Sequence, residues 1–291
     1  MSETTQSHSL LPFTCWYQNS GGEIIRFDEA PIVVQSSGLF DYQWQFTTFD
    51  RAARDGGKAV FARRPVQEKS LVLDVFADTQ EEHNAAINRL HDVLECDVGR
   101  LTPGKLWVNG QYIRCFAFAS GKTIDRDWTR YSVVKLTFRV VSPAWTEERS
   151  VVLLPSDETV TDETFKQYPG RYPYRYADDD AAYRFVNDTN APLPMVIKMF
   201  GPCSHPSVYV GGNEYSLETD IAAGDYAVID QTDKSIWCVA GNGTKTNLFD
   251  TRKKSVDNFL YAPVGHLQVA CSGNFACEVV FLVQRSEPRW N

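Results

Sequence analysis

The sequence lacks a surplus of positive charge and a long apolar stretch, and each absence excludes a class of function. Lysine and arginine number 29 against 37 aspartate and glutamate residues, a net charge of −8. Neither half of the chain offers the basic face that nucleic-acid binding requires. No window approaches the roughly eighteen unbroken apolar residues of a membrane span, and the opening MSETTQSHSLLPF has no basic flank. We therefore expect no specific nucleic-acid binding, no membrane span and no signal peptide.

Motifs for cofactor binding and catalysis are also missing. The seven cysteines are an odd number without a C-x-x-C spacing. This favours buried, reduced thiols in a protein made in a cytosol over a disulfide or metal framework. The nucleotide-binding patterns and the nucleophile-elbow pattern of hydrolases are absent. We therefore predict no catalytic residue, no cofactor and no metal, and hence no enzyme.

Two groups of residues could still be interpreted as ion sites. His83 and His91 are eight positions apart on a predicted helix, whereas a metal pair requires i, i+4 spacing, so we expect helix-surface or boundary histidines. Asp178-Asp179-Asp180 offers clustered oxygens for calcium. Three consecutive side chains point in different directions, however, and the EF-hand spacing is missing. We expect a solvated loop there.

Apolar and polar residues alternate through much of the first half of the chain, and we predict a β domain over residues 1–147. Aromatic residues alternate with polar ones over Gly38–Phe46, the period-two pattern of a half-buried strand. The charged loop Asp50–Lys58 contains Gly56-Gly57 and predicts a hairpin tip. Asn109-Gly110 predicts a two-residue turn between two further strands.

A single helix interrupts these strands. Thr79 and Glu82 have the spacing of a capping box, in which each side chain meets an unpaired amide of the first turn. Ile87, Leu90 and Leu94 follow on one stripe. The pattern predicts a helix over about residues 79–96 that ends at Gly99 and packs on a sheet.

The strand pattern stops after Ser142-Pro143-Ala144-Trp145 and resumes in a different form. Residues 148–176 are acidic and end in FKQYPGRYPYRY, whose Pro, Gly and Tyr favour extended backbone, so we predict a linker and domain-entry segment. Residues 177–291 contain roughly eight short strands and no helical window, the signature of a β-sandwich or jelly roll. Trp290, in Ser-Glu-Pro-Arg-Trp, repeats the chemistry around Trp145, which predicts a buried Trp at both places.

Aromatic residues outside the strand pattern are the candidate interface residues. They lie among Pro and Arg in the linker or at the two Ser/Pro/Trp sites: Tyr168, Tyr172, Tyr174, Tyr176, Trp145 and Trp290. Core packing, contact between subunits and a sugar-binding face remain open for such side chains.

The order of short motifs along the chain resembles the distal tail proteins of long-tailed bacteriophages. The motifs that carry the resemblance are, in chain order, Gly38-Leu-Phe-Asp-Tyr, His83-Asn-Ala-Ala-Ile-Asn-Arg-Leu90, Pro103-Gly-Lys-Leu-Trp107, Ser142-Pro-Ala-Trp145, Tyr172-Pro-Tyr-Arg-Tyr176, Phe200-Gly-Pro-Cys-Ser-His-Pro206, Gly224-Asp-Tyr226, Asn247-Leu-Phe249, Pro263-Val-Gly265 and Ser286-Glu-Pro-Arg-Trp290. Each motif is short, but together they span nearly the whole chain.

The resemblance implies a fold and a set of partners. The first half would be a β-barrel-like or sandwich-like domain with one α-helix that assembles as a homohexameric ring, and the second a galectin-like β-sandwich of jelly-roll type. The ring would connect the tail tube protein to the tail hub and to a receptor-binding or adhesion protein. The protein would be made in the host bacterial cytoplasm and would reside in the virion, at the tail tip. The resemblance carries over no catalytic residue.

Two other functions compete with this one. An aromatic-rich sandwich could act as a carbohydrate-binding module in host-surface recognition. A glycoside hydrolase would need two carboxylates at a defined separation, and it rests on the abundance of carboxylates alone.

Overall fold

The computed structural model describes residues 13–50, 55–123, 130–155, 183–273 and 275–290, and these divide into two compact units. Unit 1 comprises the chain up to Glu147 together with the residues from Gln284 onward, and unit 2 runs from Glu148 to Val283. The described residues form antiparallel strands and one α-helix. The mainly β fold class predicted from the sequence is therefore confirmed.

Unit 1 is built on one antiparallel sheet with a helix against it. Its strands are β1 (Cys15–Gln18), β2 (Ile24–Arg26), β3 (Asp28–Glu29), β4 (Ile32–Ser37), β5 (Gln45–Asp50), β6 (Gly57–Arg63), β7 (Gln67–Phe76), β8 (Gly104–Val108), β9 (Gln111–Thr123) and β10 (Tyr131–Leu153), and its helix is α1 (Gln80–Arg100). The main sheet has the order β4-β7-β10-β9-β8-β1-β2, and β3 pairs with β4. Among the described strands, β5 and β6 pair only with each other.

The core of unit 1 lies between this sheet and α1. Leu90 on the helix is fully buried with Tyr17, Leu73, Leu106 and Phe138 on the strands. Because the inward residues of each strand alternate with outward ones, the sheet offers one continuous apolar face to the helix. The predicted helix stripe is therefore confirmed.

The helix begins as predicted but ends later. The hydroxyl of Thr79 accepts a hydrogen bond from the amide of Glu82 at 3.2 Å, as expected of a capping residue. The helix passes Gly99 and ends at Leu101, which adopts a left-handed conformation (φ 52°). The last helical residue is Arg100, one residue beyond the predicted end at Gly99 and four residues, about one turn, beyond the predicted limit at residue 96. In this last turn the buried carboxylate of Asp97 accepts hydrogen bonds from Tyr17 on β1 and from the amide of Ser20.

The prediction of a strand over Gly38–Phe46 is also wrong. Residues 38–44 are not in a strand, and β5 begins only at Gln45. Tyr42 and Phe46 are exposed despite their alternation with polar residues. Alternation describes one chain, whereas a strand also needs a neighbour to complete its hydrogen bonds.

Strand β10 continues past the point where the sequence pattern stops. It runs through Ser142–Trp145 and ends at Leu153, so the predicted linker 148–176 begins inside a strand. Residues 156–176 of the predicted linker lie outside the described part of the chain. Trp145 is 1% exposed and belongs to the core of unit 1.

Unit 2 has two larger sheets around a second core and a two-stranded sheet of β13 and β16. Its strands are the end of β10, β11 (Tyr183–Asn187), β12 (Met195–Phe200), β13 (Cys203–Ser204), β14 (Ser207–Val210), β15 (Asn213–Ser216), β16 (Asp220–Ile221), β17 (Tyr226–Asp230), β18 (Ser235–Val239), β19 (Lys245–Asn247), β20 (Gly265–Ser272) and β21 (Cys277–Arg285), and residues Phe249–Thr251 form a 3-10 turn. One sheet has the order β19-β18-β17-β12-β21 and continues to the end of β10, and the other has the order β11-β20-β14-β15. Phe185 on β11 stacks on Phe281 on β21 at 3.7 Å between ring centroids. This contact joins the two sheets, as expected of a sandwich.

Candidate assembly surface

The surface feature of unit 1 that most needs a partner is a two-stranded ribbon, β5 and β6, which we call the hairpin arm (residues 45–50 and 57–63). Every residue of both strands is exposed. Phe46, Phe49, Val60 and Phe61 are each more than half exposed. An isolated two-stranded ribbon is marginally stable in water, and exposed aromatic residues close together mark contact sites.

The register of the hairpin arm places its aromatic residues on both faces. Phe61 lies opposite Thr47, and Thr47 and Phe49 are two positions apart on a regular stretch of β5. Phe49 and Phe61 therefore share one face, while Phe46 points to the other. The pairing is interrupted by a β-bulge on β6: Val60 is the extra residue between Phe61, which pairs with Thr47, and Ala59, which pairs with Thr48. Both faces of the hairpin arm are thus available for contact.

The base of the hairpin arm is closed by two arginines. Arg63 donates from Nε to the side-chain oxygen of Gln45 at 2.9 Å and joins the first pair of the ribbon. The guanidinium carbon of Arg64 lies 5.1 Å from the centre of the Trp44 ring. A cation over an indole at this distance is attracted by the ring electrons. The residues just before β5 and just after β6 are therefore linked.

The segment that leads into the arm is held against β7. Lys69 donates from Nζ to the carbonyl oxygen of Asp41, and Gln67 donates from Nε2 to the carbonyl oxygen of Gln43 at 2.9 Å. Burial lowers the pKa of Lys69, and the carboxylates of Asp41 and Glu287 oppose that shift. The Lys69 side chain thus points away from solvent to fix a loop with no sheet partner.

Residues 284–290, which we call the return segment, also lie on unit 1. Arg64 donates from Nη1 to the carbonyl oxygen of Arg285 at 3.1 Å, and Asn109 donates from Nδ2 to that of Arg289 at 3.2 Å. The rings of Trp290 and Phe40 are 4.5 Å apart. The sequence had assigned this segment to the second domain.

The predicted interface residues have three outcomes. Tyr168, Tyr172, Tyr174 and Tyr176 lie outside the described residues. Trp145 is a core side chain, not a surface one. Trp290 is 58% exposed, so the burial expected at both Ser/Pro/Trp sites is found only at Trp145. The exposed Phe49 and Phe61 of the hairpin arm lie just outside the predicted loop Asp50–Lys58 and were not among the predicted interface residues.

An open groove of about 510 Å³ lies beside α1 in the same unit. Ile24, Pro31 and Ala85 give it an apolar floor, and Arg26 and Arg89 line it with charge. Strand β2 borders the groove and pairs, among the described strands, with β1 alone. An edge strand beside a mixed groove suits contact with another polypeptide.

The titratable groups of the described residues give no sign of a reaction centre. No three or more His, Cys, Asp or Glu side chains come together there in a way that could hold a metal ion. His83 is 1% exposed, which corrects the expectation of a surface or boundary position, and its Nε2 lies 3.0 Å from the hydroxyl of Ser132. Burial raises the pKa values of Cys15 and Cys115, so these thiols resist ionisation and are poor nucleophiles. All seven cysteines are free.

Within the described part of the chain, no helix has the length and apolar character that crossing a membrane requires.

Comparison with known proteins shows the fold. No protein-family model matches the chain, and no curated protein matches it. The chain is similar to the crystal structure of the Dit protein (gp 19.1) of SPP1, described as a paradigm of the hub adsorption apparatus in phages that infect Gram-positive bacteria, with a TM-score of 0.56 and 14% identity over 94% of this chain and 99% of that one. It is also similar to a chain of the phage P2 baseplate in its activated conformation with calcium and to one in the strontium form, each with a TM-score of 0.63 and 13% identity over 95% of this chain and 99% of that one. The resemblance found in the sequence is therefore confirmed at the level of fold: this chain has the fold of the SPP1 Dit protein over nearly its full length.

Proposed function

We propose that this protein is a structural component of a phage tail tip, a distal tail protein that forms a hexameric ring between the tail tube and the hub. The fold match supports this because it covers 94% of this chain and 99% of the SPP1 Dit protein, so both units are included. A match to one unit alone would support only a shared domain. The protein would act without catalysis and would reside in the virion, made in the host bacterial cytoplasm.

The observation that carries the ring is the hairpin arm. Phe49 and Phe61 are exposed on one face of a ribbon that pairs with no other described strand. A second copy of the chain can cover this face, and six copies in a closed ring would cover every arm. The tail tube, the hub and an adhesion protein are the remaining partners that we propose. A ring around a DNA conduit also suits a chain with a net charge of −8, because DNA must pass without binding.

Light scattering after size exclusion tests the ring. We expect a mass of six times 32.9 kDa for the natural chain, or an equilibrium that shifts toward that mass with concentration. The double variant Phe49→Asp/Phe61→Asp should remain monomeric. A matched control, Val186→Asp/Val264→Asp, changes two exposed residues of unit 2 and should assemble normally. A natural chain that stays monomeric at high concentration and also ignores tube and hub proteins would exclude the proposal.

The alternative of a carbohydrate-binding module has one observation in its favour. A groove of about 490 Å³ in unit 2 is lined by Arg184, His266 and Gln268, and Gln268 lies opposite Arg184 on the neighbouring strand. Polar side chains on a sandwich face can donate hydrogen bonds to sugar hydroxyls. A glycan array with His266→Ala as the comparison tests this function, and no binding at millimolar sugar would exclude it.

A further inference from the structure

The hairpin arm needs an external support because its own strands cannot orient it. Its strands pair with no other described strand, and two-stranded ribbons are marginally stable alone. Whatever fixes its direction must act at the base, where residues 44 and 64 enter and leave the ribbon. The contacts at this base come from two sources, β7 and the return segment.

Arg64 connects the base to the return segment. One face of its guanidinium lies over Trp44, and its Nη1 donates to the carbonyl oxygen of Arg285. A planar guanidinium can stack and donate at the same time, which a lysine cannot do in the same geometry. Burial lowers the pKa of Arg64, which agrees with a side chain drawn partly out of water. A single side chain therefore links both stems of the arm to a segment 221 positions later in the chain.

A second line of contacts reaches the lead-in segment. Trp290 packs on Phe40, which packs edge-on against Phe13 with 5.5 Å between ring centroids. Burial lowers the pKa of Lys69, and the nearby carboxylates of Asp41 and Glu287 oppose that shift, so Glu287 of the return segment lies near the Nζ that donates to the carbonyl oxygen of Asp41. The return segment thus acts on the arm from both sides of its base.

The return segment is itself anchored away from the arm. Asn109, in the turn between β8 and β9, donates to the carbonyl oxygen of Arg289, while its side-chain oxygen accepts from the amide of Thr14 at 3.1 Å. The turn belongs to the main sheet of unit 1. The return segment therefore contacts both the main sheet and the base of the hairpin arm.

We infer that the return segment positions the hairpin arm for assembly, with Arg64 and Trp290 as the positioning residues. This inference rests on the proposed ring and adds a condition to it. The return segment begins at the end of β21, directly after unit 2, so every residue of unit 2 is synthesised before it. An arm that is oriented only when residues 284–290 are in place stays loose on an incomplete chain. Assembly is thereby restricted to chains whose second unit has been made.

Hydrogen exchange of the arm tests the inference without requiring a ring. At a dilution where the natural chain is monomeric, the double variant Arg64→Ala/Trp290→Ala should exchange the amides of residues 45–50 and 57–63 roughly tenfold faster, the factor expected for the loss of one charge-assisted hydrogen bond and one stacked ring. In Arg64→Lys, the exchange rate of these amides should lie between that of the natural chain and that of the double variant. The matched control Arg184→Ala/Trp237→Ala removes the same residue types from unit 2 and should leave arm exchange unchanged. Unchanged exchange in the Arg64 and Trp290 variants overturns the inference.

Assembly provides the second measurement. The concentration at which half the chains are in rings should rise roughly tenfold in Arg64→Ala/Trp290→Ala and stay unchanged in the control. If the arm exchanges faster but rings form at the natural concentration, the arm is supported at its base without any role in assembly, and the inference is overturned. If the natural chain forms no ring with or without tube and hub proteins, the proposed function fails, and the exchange result still decides whether the return segment holds the arm.

Discussion

Unit 1 contains two hairpins of similar pattern and opposite burial. In β8 and β9, Leu106, Val108 and Ile113 alternate with outward residues and are at most 1% exposed. In the hairpin arm, Phe49 and Phe61 are placed just as regularly and are more than half exposed. Both ribbons are antiparallel and both contain Gly in the connection. The difference is that β8 and β9 have β1 and β10 beside them and α1 above them, whereas the two strands of the arm pair with no other described strand.

The two hairpins differ in the source of their stability. The apolar residues of β8 and β9 stabilise the folded monomer, because burial is completed within the chain. Those of the hairpin arm contribute little until another surface covers them, so their free energy is available for association. Substitutions in the first hairpin should therefore change unfolding, and those in the second should change assembly.

The largest expected effect comes from truncating a buried residue of β8. Leu106→Ala should lower the free energy of unfolding by about 2–5 kcal/mol, since it removes methyl groups from a closed core. Phe61→Ala should change it by less than about 0.5 kcal/mol, because the ring already meets water. Urea denaturation followed by tryptophan fluorescence measures both, since six of the seven Trp lie in unit 1. Similar losses in the two variants would mean that the arm is packed within the monomer.

Unit 1 also contains one buried and one exposed Tyr–Asp hydrogen bond, so the effect of burial can be measured on a matched pair of residues. Tyr17 donates to the carboxylate of Asp97 at 2.5 Å, and both are fully buried beside Gly104 at the start of β8. Burial raises the pKa of Tyr17, so the hydroxyl remains a donor at any ordinary pH. Tyr131 donates to Asp74 at 2.8 Å on an exposed face.

Tyr17→Phe should lower the free energy of unfolding by about 1–3 kcal/mol, because a buried carboxylate loses a donor that water cannot replace. Tyr131→Phe should cost less than about 0.5 kcal/mol, because water takes the place of its hydroxyl. The same urea titration measures both. Equal costs would indicate that water reaches Asp97.

Much of the main sheet and the helix could be predicted from the sequence, because their signals are local. Thr79 and Glu82 are three positions apart and meet in the first turn of α1, and Asn109-Gly110 adopts the two positive φ angles of the predicted turn. The mainly β class followed from the same short-range patterns. These features depend on neighbours in the sequence, so one sequence is enough to find them.

The base of the hairpin arm could not be predicted, because its contacts are distant in the chain. The pattern over Gly38–Phe46 is that of a strand, yet its carbonyl groups at Asp41 and Gln43 are taken by side chains of β7. The bond from Arg64 to Arg285 spans 221 positions and has no periodic signal. Asp97 had no motif either, and its buried carboxylate accepts a hydrogen bond from Tyr17, 80 positions earlier in the chain. In each case the contact joins residues whose side chains have no periodic or local signal in the sequence.

The turns of the two hairpins offer a smaller and more closely matched test. Gly110 (φ +75°) and Gly56 (φ +84°) both have left-handed backbones, and an added methyl group would meet no atom within 4 Å at either. An alanine at either position would therefore differ from glycine only by the strain of its left-handed backbone, not by a clash. Gly110→Ala should lower the free energy of unfolding by roughly 1 kcal/mol, whereas Gly56→Ala should leave it unchanged and speed amide exchange in the arm. A loss of stability in Gly56→Ala would show that the arm unfolds together with the core.

The smallest effect concerns the outer end of β9, where the buried hairpin itself becomes exposed. His91 on α1 lies there beside Lys122, and Asp92 and Glu95 flank it on the helix. Burial, followed by the charge of Lys122, lowers the pKa of His91 below its ordinary value of 6.5, against the opposing pull of the two carboxylates. The unfolded chain therefore takes up this proton first as the pH falls.

The stability that neutral His91 contributes is thus present above pH 6.5 and is lost as the pH falls through the lowered pKa of the folded state. Between pH 7.5 and pH 5.5, the natural chain should lose more stability than His91→Gln, whose side chain does not titrate. His205→Gln, the same substitution at an exposed position of unit 2, is the matched control. Urea midpoints at the two pH values measure the difference. If His91→Gln loses as much stability as the natural chain between these pH values, then ionisation of His91 does not contribute to the pH dependence, as expected of a side chain that is fully exposed to water.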